Sequence, residues 1–221
     1  MVDFYDESEL QDSAFARVLV TGLPKSGKTV AVLSTAPTPI VVINCDKPGA
    51  PMAAKRHGAT GLKICDVTNA ASWRGAYQQA IKMAEAGECS SIVVDTITML
   101  VNNIIAPEMA RSNEGFAIWK ETLNRTLAGL NALMESPAHI FLIAHYGMED
   151  GQISLDGQLK QTVPALVHDR IHLDFNPKGK PPRTFLVGPT ASGLAGGRHS
   201  DESKALPADI KAVLAEFGYT E

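Results

Sequence analysis

The segment GLPKSGKT, residues 22–29, restricts the possible folds of this chain more than any other stretch. It matches the pattern G-x-x-x-x-G-K-[ST] in full, between a short β-branched apolar run and a helix-like segment. Gly22 and Gly27 permit a tight turn in which successive backbone N–H groups converge on phosphate at a helix N-terminus. Lys28 would reach the β- and γ-phosphate oxygens, and Thr29 would offer its hydroxyl to Mg²⁺. The expected nucleotide contacts are Gly22, Pro24, Lys25, Ser26, Gly27, Lys28, Thr29 and Val30.

Apolar runs alternate with helix-like segments along the chain, and this alternation predicts an α/β fold. Strands are expected at residues 17–22, 39–44, 61–66, 91–96, 139–146, 170–175 and 183–188. Helices are expected at residues 28–34, 69–86, 114–135 and 207–217. Continuous apolarity in the strands is typical of a mainly parallel twisted sheet with helices on both faces. The short turn between the last two strands predicts an antiparallel edge.

The length of 221 residues suits one large domain with short flanking segments. We expect a polar leader at 1–14, a core at 15–190, and a Gly-rich segment with a C-terminal helix at 191–221. The formal net charge of −4 excludes a protein that is basic throughout. Nucleic-acid binding would therefore need a local basic patch.

Cysteine use and the N-terminal composition predict a soluble, cytoplasmic protein. Cys45, Cys65 and Cys89 are odd in number and lack the CxxC spacing of a zinc site, so we expect reduced core thiols. The acidic N-terminus lacks the basic and apolar regions of a secretory signal. No apolar stretch approaches the 18 residues of a membrane span, so no membrane partner is expected.

Asp95 is the candidate metal-binding carboxylate. It ends an apolar run, SIVVD, that is predicted to be a buried strand. A phosphate loop of this kind needs such an acid to hold Mg²⁺ together with the loop hydroxyl, here Thr29. An acid that caps the next helix is the alternative reading. The phosphate loop elsewhere in the chain favours the metal role.

Asp46 is the candidate base that would orient the attacking water. Thr96 follows Asp95, so this chain lacks the Asp-Glu pair in which the Glu polarises water. Asp46 stands at the end of the strand that follows the phosphate loop, where an acid often lies near the γ-phosphate. A solvated turn aspartate is the alternative reading. Weaker candidates for the base are Glu108 and Glu114.

His145 ends the predicted strand HIFLIAH and would emerge near the phosphates. A polar group at this position could respond to the presence of the nucleotide. A hydrogen-bonded core histidine is the alternative reading of the same residue.

These elements, in this order and spacing, resemble the RecA-like P-loop ATPase core. VVINCDKPG resembles the second strand of that family with its catalytic acid, SIVVDTITML its Walker B strand, and FLIAHY its sensor strand. The resemblance covers residues 15–190 and is closest to the core-only bacteriophage single-strand annealing ATPases, also called phage nucleotide-binding proteins. It implies ATP and Mg²⁺ as cofactors, Asp46 as the water-activating carboxylate and His145 as the sensor. An aspartate in place of the more frequent glutamate shortens the reach by one methylene.

The resemblance also implies single-stranded DNA as a partner, contacted by two segments at residues 102–115 and 147–162. These segments are polar and Gly-bearing but offer little positive charge, chiefly Arg111 and Lys160. Cationic tracking and aromatic stacking are the usual means of binding single strands. Surface loops without a ligand are therefore the alternative reading. The basic residues Lys178, Lys180 and Arg183 fit a solvated hairpin as well as a DNA contact.

Members of this family form rings or filaments in which a cation reaches the ATP of the neighbouring subunit. The resemblance therefore implies a homo-oligomer, with a single-strand binding protein as a further candidate partner. Arg198, in the Gly-rich segment ASGLAGGRHS, is the first candidate for the trans-acting cation, and Arg183 is the second. A disordered tail with an incidental arginine is the alternative.

The sequence as a whole predicts a phage-encoded ATPase in the bacterial host cytoplasm, active in DNA annealing or recombination and stimulated by single-stranded DNA. ATP is favoured over GTP because the guanine-specific NKxD motif does not occur. Two alternatives stay open. A small-molecule P-loop kinase would use residues 191–200 as a lid. A nucleotide-gated binding module would bind ATP with little turnover, and its Asp46 would lie far from the γ-phosphate.

Overall fold

The computed structural model describes residues 14–46, 50–109, 115–147, 153–155 and 159–219. Of residues 50, 53, 105–109, 115 and 116 it describes the backbone alone. The expected leader lies outside these ranges except for its last residue.

The strands of the described residues belong to one mixed sheet, ordered β3-β2-β4-β5-β1-β6-β7-β9, with β8 paired to the start of β6. All pairings within the set β1 to β6 are parallel. The strands β7, β8 and β9 pair with their neighbours in antiparallel fashion. This arrangement confirms the mainly parallel sheet with an antiparallel edge. The strands are β1 (Arg17–Gly22), β2 (Ile40–Asn44), β3 (Leu62–Asp66), β4 (Ser91–Asp95), β5 (His139–Ile143), β6 (Asp169–Phe175), β7 (Arg183–Val187), β8 (Gly196–Gly197) and β9 (Lys204–Pro207).

Helices cover both faces of the sheet, as expected. They are α1 (Lys28–Thr35), α2 (Ala50–Arg56), α3 (Ala70–Glu85), α4 (Ile97–Met109), α5 (Gly115–Met134), α6 (Leu159–Leu166) and α7 (Ile210–Glu216). In β2, Val41 and Ile43 pack in one core cluster with residues of α3, α4 and α5. Ile40 and Val42 of the same strand pack in the opposite cluster with residues of α1 and α7. The alternation follows from the two-residue side-chain period of a strand. Among the described residues, no helix has both the length and the apolar character of a membrane-spanning segment.

The expected cap of α3 is present as a full capping box. The Asn69 side chain accepts a hydrogen bond from the Ser72 backbone N–H at 2.9 Å, and the Ser72 hydroxyl oxygen accepts one from the Asn69 N–H at 3.0 Å. The box satisfies two of the donors that a helix start leaves open, so it fixes where α3 begins.

The first expected DNA-binding segment, 102–115, is largely not a loop. The helix α4 continues to residue 109, because an apolar pattern at helical spacing is buried against the core: Ile97, Leu100, Val101 and Ile104. Residues 110–114, with Arg111 and Glu114, lie outside the described residues. The side chain of Glu108 also lies outside them.

The second expected segment, 147–162, likewise contains regular structure. Residues 159–162 form the first turn of α6, whose internal Pro164 weakened the helical pattern of the sequence. Upstream, Ile153 forms an isolated antiparallel bridge with Tyr146. Ile153, Leu155 and Leu159 are all buried, which explains why this stretch packs on the core. The remaining residues, 148–152 and 156–158, lie outside the described part of the chain.

Three further short elements were not expected, and two expected elements are shorter by three residues or more. The expected strand 139–146 ends at Ile143. The helix α2 and the strands β8 and β9 come from stretches with Pro or Gly that resembled turns. The expected helix 207–217 begins only at residue 210, after β9, because Asp209 is its N-cap. Cys45 and Cys89 are buried as expected, but Cys65 is exposed because β3 is the outermost strand of the sheet.

Two helix glycines should respond to alanine with opposite signs. A Cβ atom at the buried Gly129 of α5 would lie 2.7 Å from ring atoms of Trp73, which is 2% exposed. Gly129→Ala should therefore destabilise the fold by about 1–3 kcal/mol through overpacking. Gly75 of α3 is exposed and has no atom within 4 Å of its added Cβ, so Gly75→Ala should stabilise by up to ~1 kcal/mol. Urea unfolding of both variants measures the two shifts, and equal signs would contradict this packing.

Candidate functional site

The phosphate loop connects the end of β1 to the first residue of α1. Gly27 is the N-cap of α1 and has φ 103°, a conformation that glycine adopts without steric cost. Lys25 has φ 62° and is a non-glycine residue in the left-handed region. The turn closes with a backbone hydrogen bond from Ser26 N–H to the Leu23 carbonyl at 3.2 Å. The loop thus has the strained, cupped backbone that its sequence pattern requires.

Lys28 is held inside this loop by backbone carbonyls. Its Nζ donates to the carbonyl oxygens of Gly22 and Leu23, each at 2.8 Å, and the residue is only 4% exposed. Burial lowers the pKa of Lys28 to about 8, although Asp95 and Asp46 oppose this shift. The ammonium therefore lies within the phosphate loop and near Asp95 and Asp46, and its hydrogen-bond partners are two carbonyls of the loop.

Thr29 and Asp95 are joined directly. The Thr29 hydroxyl donates to Oδ1 of Asp95 at 3.0 Å. Asp95 is completely buried, and burial raises the pKa of its carboxyl to about 7, with the Asp46 charge adding to the rise. The Thr29 hydrogen bond and the Lys28 charge act against this rise. The peptide bond between Asp95 and Thr96 is cis.

The donor set fits a hard divalent cation. Oδ2 of Asp95 is buried and has no hydrogen-bond partner among the described residues. A buried carboxylate oxygen without a donor is costly unless a cation or another donor completes it. The second oxygen of this set, the Thr29 hydroxyl, is also of the kind that Mg²⁺ prefers. Thr29 and Asp95 are thus the residues of this chain that could hold Mg²⁺.

Asp46 lies beside this pair. Its backbone N–H donates to the Asp95 carbonyl at 3.1 Å, next to the bond from the Cys45 N–H to the same oxygen at 2.7 Å. Its charge acts on Lys28, on Asp95 and on His145. The structure therefore brings the candidate base to the phosphate loop. Its role in catalysis stays a prediction.

His145 lies at the same edge of the sheet and joins two further segments. Its backbone N–H donates to the Thr98 hydroxyl in α4 at 3.1 Å, and its carbonyl accepts from the Ser154 N–H at 2.9 Å. Burial, followed by the Lys28 charge, lowers the pKa of the His145 ring. A neutral imidazole beside the phosphates is consistent with the expected sensor role, which stays a prediction.

Arg198 is not at the phosphate loop of its own chain. Its backbone N–H donates to Oδ1 of Asp169, the first residue of β6, at 3.0 Å, and its side chain is exposed. Asp169 lies opposite Val18, whereas the phosphate loop starts at Gly22, four residues further along β1. Four residues of strand span roughly 13 Å. A role for Arg198 toward a neighbouring subunit stays a prediction.

Arg183, the second candidate for the trans-acting cation, instead contacts the phosphate loop of its own chain. Its Nε–H donates to the Ser26 carbonyl at 2.7 Å, across 157 residues of sequence. The sequence left a solvated hairpin and a DNA contact open for Arg183, and no local pattern indicates this contact with the loop. Lys178 and Lys180, in the preceding turn, are exposed.

Comparisons with known proteins agree with this geometry. The sequence model of the AAA domain family matches residues 14–173. No curated protein matches the chain. Among solved structures, an ATPase of the type III secretion system of pathogenic bacteria matches with a TM-score of 0.54 and 14% identity, over 83% of this chain and 58% of its own. The chain thus spans little more than half of that ATPase.

Two further structures match less closely. A KaiC-like protein from the hyperthermophilic archaeon Pyrococcus horikoshii has a TM-score of 0.48 and 14% identity, over 86% of this chain and 81% of its own. The flagellar accessory protein FlaH from Methanocaldococcus jannaschii has a TM-score of 0.41 and 10% identity, over 89% and 81%. The family match and the sheet described above give the chain the fold of a RecA-like P-loop NTPase, as the sequence indicated.

Asp95→Asn should stabilise the nucleotide-free protein, and the gain should grow with pH. The pKa of Asp95 is raised from 3.8 to about 7, so the folded state keeps a proton that the unfolded chain has already released between these values. Rising pH across this window therefore destabilises the wild type, and the advantage of the variant should increase by about 2 kcal/mol from pH 5 to pH 8.

Urea unfolding in EDTA at several pH values measures this difference between variant and wild type. The same variant should lose the stabilisation that Mg²⁺ with nucleotide gives the wild type, because the amide cannot replace the carboxylate as a metal partner. A constant difference across the pH range would show that Asp95 is not protonated in the free protein.

Proposed function

Because the chain belongs to the AAA domain family, we propose that it is a Mg·ATP-dependent ATPase that forms a homo-oligomer and acts on single-stranded DNA. The observation that carries the ATPase part is the convergence of four side chains at one edge of the sheet. Lys28 and Thr29 come from the phosphate loop, Asp95 from the end of β4 and Asp46 from the turn after β2. A loop that only turned the chain would need none of these groups.

Each residue has a distinct task in hydrolysis. The backbone N–H groups at the start of α1 and the Lys28 ammonium bind the β- and γ-phosphates. Thr29 and Asp95 would hold Mg²⁺, which would supply positive charge to neutralise the phosphate oxygens. Asp46 accepts a proton from the attacking water and orients it toward the γ-phosphate. His145, at the adjacent strand end, responds to the state of the γ-phosphate.

The link to single-stranded DNA is supported by the resemblance to the bacteriophage annealing ATPases and by the contacts of His145. Its backbone bonds join the strand end to Thr98 in α4 and to Ser154. Thr98 lies at the start of the helix that contains residues 102–109, and Ser154 lies within the second candidate segment. A change at the phosphates therefore has a short path to both candidate DNA segments. A phage origin and a role in annealing or recombination follow from the same resemblance.

The two alternatives have less support. A kinase lid at residues 191–200 would have to cover the phosphate loop, but β8 within it pairs with the start of β6, at the other end of the strand. A gated module with little turnover would keep its acid away from the γ-phosphate. Asp46 instead acts electrostatically on Lys28 and Asp95, two of the groups proposed to bind the phosphates and Mg²⁺.

The proposal predicts ATP hydrolysis by a multimer, and faster hydrolysis with single-stranded DNA. Phosphate release is measured with and without an oligonucleotide, and light scattering gives the mass of the assembly. Lys28→Ala should abolish nucleotide binding in every case, which confirms the site. Turnover that is slow and indifferent to DNA would favour the gated module, and phosphate transfer to a metabolite would favour the kinase.

Asp46→Asn should lower kcat by about 10²–10⁴-fold, the usual contribution of a general base, while Mg·ATP binding persists. The amide keeps the size of the side chain but cannot accept the proton of the water. Asp201→Asn, at an exposed position away from the loop, is the matched control and should leave turnover unchanged. Equal kcat values for the two variants would remove Asp46 from the reaction.

A further inference from the structure

Arg183 packs along the outer side of the phosphate loop. Its Nε–H donates to the Ser26 carbonyl at 2.7 Å. A Cβ atom at Gly27 would lie 2.9 Å from the same nitrogen, so the arginine occupies the space that a side chain there would fill. On its other side the guanidinium carbon lies 5.0 Å from the centre of the Phe175 ring, a cation–π contact. A hydrogen bond to the loop and a ring contact with β6 therefore hold this side chain beside Gly27.

The backbone of Arg183 is held by strand pairing in the sheet. Arg183 begins β7 and lies opposite Phe175 of β6, and β6 pairs in turn with β1, which leads into the loop. Pro181 and Pro182 precede it and, with Gly27 and Val30, line a cavity of about 410 Å³ beside α1. Proline restricts the backbone that delivers the arginine. The contact thus joins the first residue of a sheet strand to the phosphate loop.

The loop needs such a support most when nucleotide is bound. In the free chain the Lys28 ammonium holds the carbonyls of Gly22 and Leu23. Those two bonds are lost when Lys28 turns to the phosphates. The left-handed conformations of Lys25 and Gly27 must then be maintained by other contacts. The Ser26 carbonyl accepts from Arg183 and not from Lys28, so this bond does not depend on where the Lys28 side chain points.

We propose that Arg183 is a positioning residue that holds the phosphate loop of its own chain in the shape that binds phosphate. This role rests on the proposed nucleotide binding and differs from that of a cation delivered to a neighbouring subunit. Because the support matters most once Lys28 has left the carbonyls, Arg183 sets nucleotide affinity more than the stability of the free protein.

The test compares Arg183→Met with wild type in equilibrium binding of Mg·ATP and of Mg·tripolyphosphate. Loss of a charge-assisted hydrogen bond should weaken both by about tenfold or more, and to the same extent, because the loop binds the phosphates. The melting temperature without ligand should change little, while the ligand-induced rise should shrink. Arg125→Met, which removes an arginine from an exposed pair with Glu121, is the matched control and should bind as wild type.

Two results would contradict the positioning role of Arg183. Weaker binding of ATP with normal binding of tripolyphosphate would place Arg183 at the nucleoside instead of the loop. A large loss of stability without ligand, with normal affinity in the folded fraction, would make Arg183 only a structural residue. Arg183→Lys keeps the charge and the aliphatic stem but lacks the Nε–H donor. It should weaken binding several-fold and serves if the Met variant does not fold.

A mixing experiment separates action within the chain from action between chains. Subunits with Lys28→Ala and subunits with Arg183→Met are combined before turnover is measured. A trans-acting Arg183 would restore activity, because Lys28→Ala subunits would supply the arginine to intact phosphate loops. Action within the chain predicts no restoration. If Lys28→Ala itself bound ATP normally, the proposed function would fail, whereas normal binding by Arg183→Met alone would overturn only the role of Arg183.

Discussion

The parallel register of the central strands is the constraint on which the site depends. Asp95 lies opposite Asn44 on one side and opposite Ile143 on the other. Because the carboxyl ends of parallel strands meet at one edge, the residues that follow them, Asp46 and His145, meet there too. A shift of β4 by one residue would turn the Asp95 side chain to the opposite face of the sheet. Thr29 would then lose its acceptor.

Burial disfavours the charged forms of the groups at this edge of the sheet. The pKa of Lys28 is lowered and that of Asp95 is raised, because both charged forms are removed from water. Each charge partly compensates the other, but Oδ2 of Asp95 has no donor within the described residues. A phosphate group and a divalent cation would supply the missing partners. The buried charges and the unpartnered oxygen are therefore preorganised for a charged ligand.

Local patterns predicted the parts of the site that are close in sequence. The phosphate loop and the strand that ends at Asp95 both follow from short motifs and apolar periodicity. The sequence also predicted that Asp46 and His145 lie near the phosphate loop, since the carboxyl ends of parallel strands share one edge of the sheet. The contact of Arg183 with Ser26 could not be predicted, because it depends on which strand β6 and β7 join. The helix α6 was not predicted, because Pro164 interrupts its helical pattern.

The two carbonyls that hold Lys28 have a consequence for the end of the catalytic cycle. A buried ammonium without hydrogen-bond partners has a high free energy, so it would disfavour the departure of a bound anion. Here the backbone carbonyls of Gly22 and Leu23 accept hydrogen bonds from Lys28 Nζ at 2.8 Å, so the ammonium would have partners once the product leaves. In the proposed ATPase, these two carbonyls would lower the cost of releasing the product from the loop and so favour exchange of spent nucleotide for fresh.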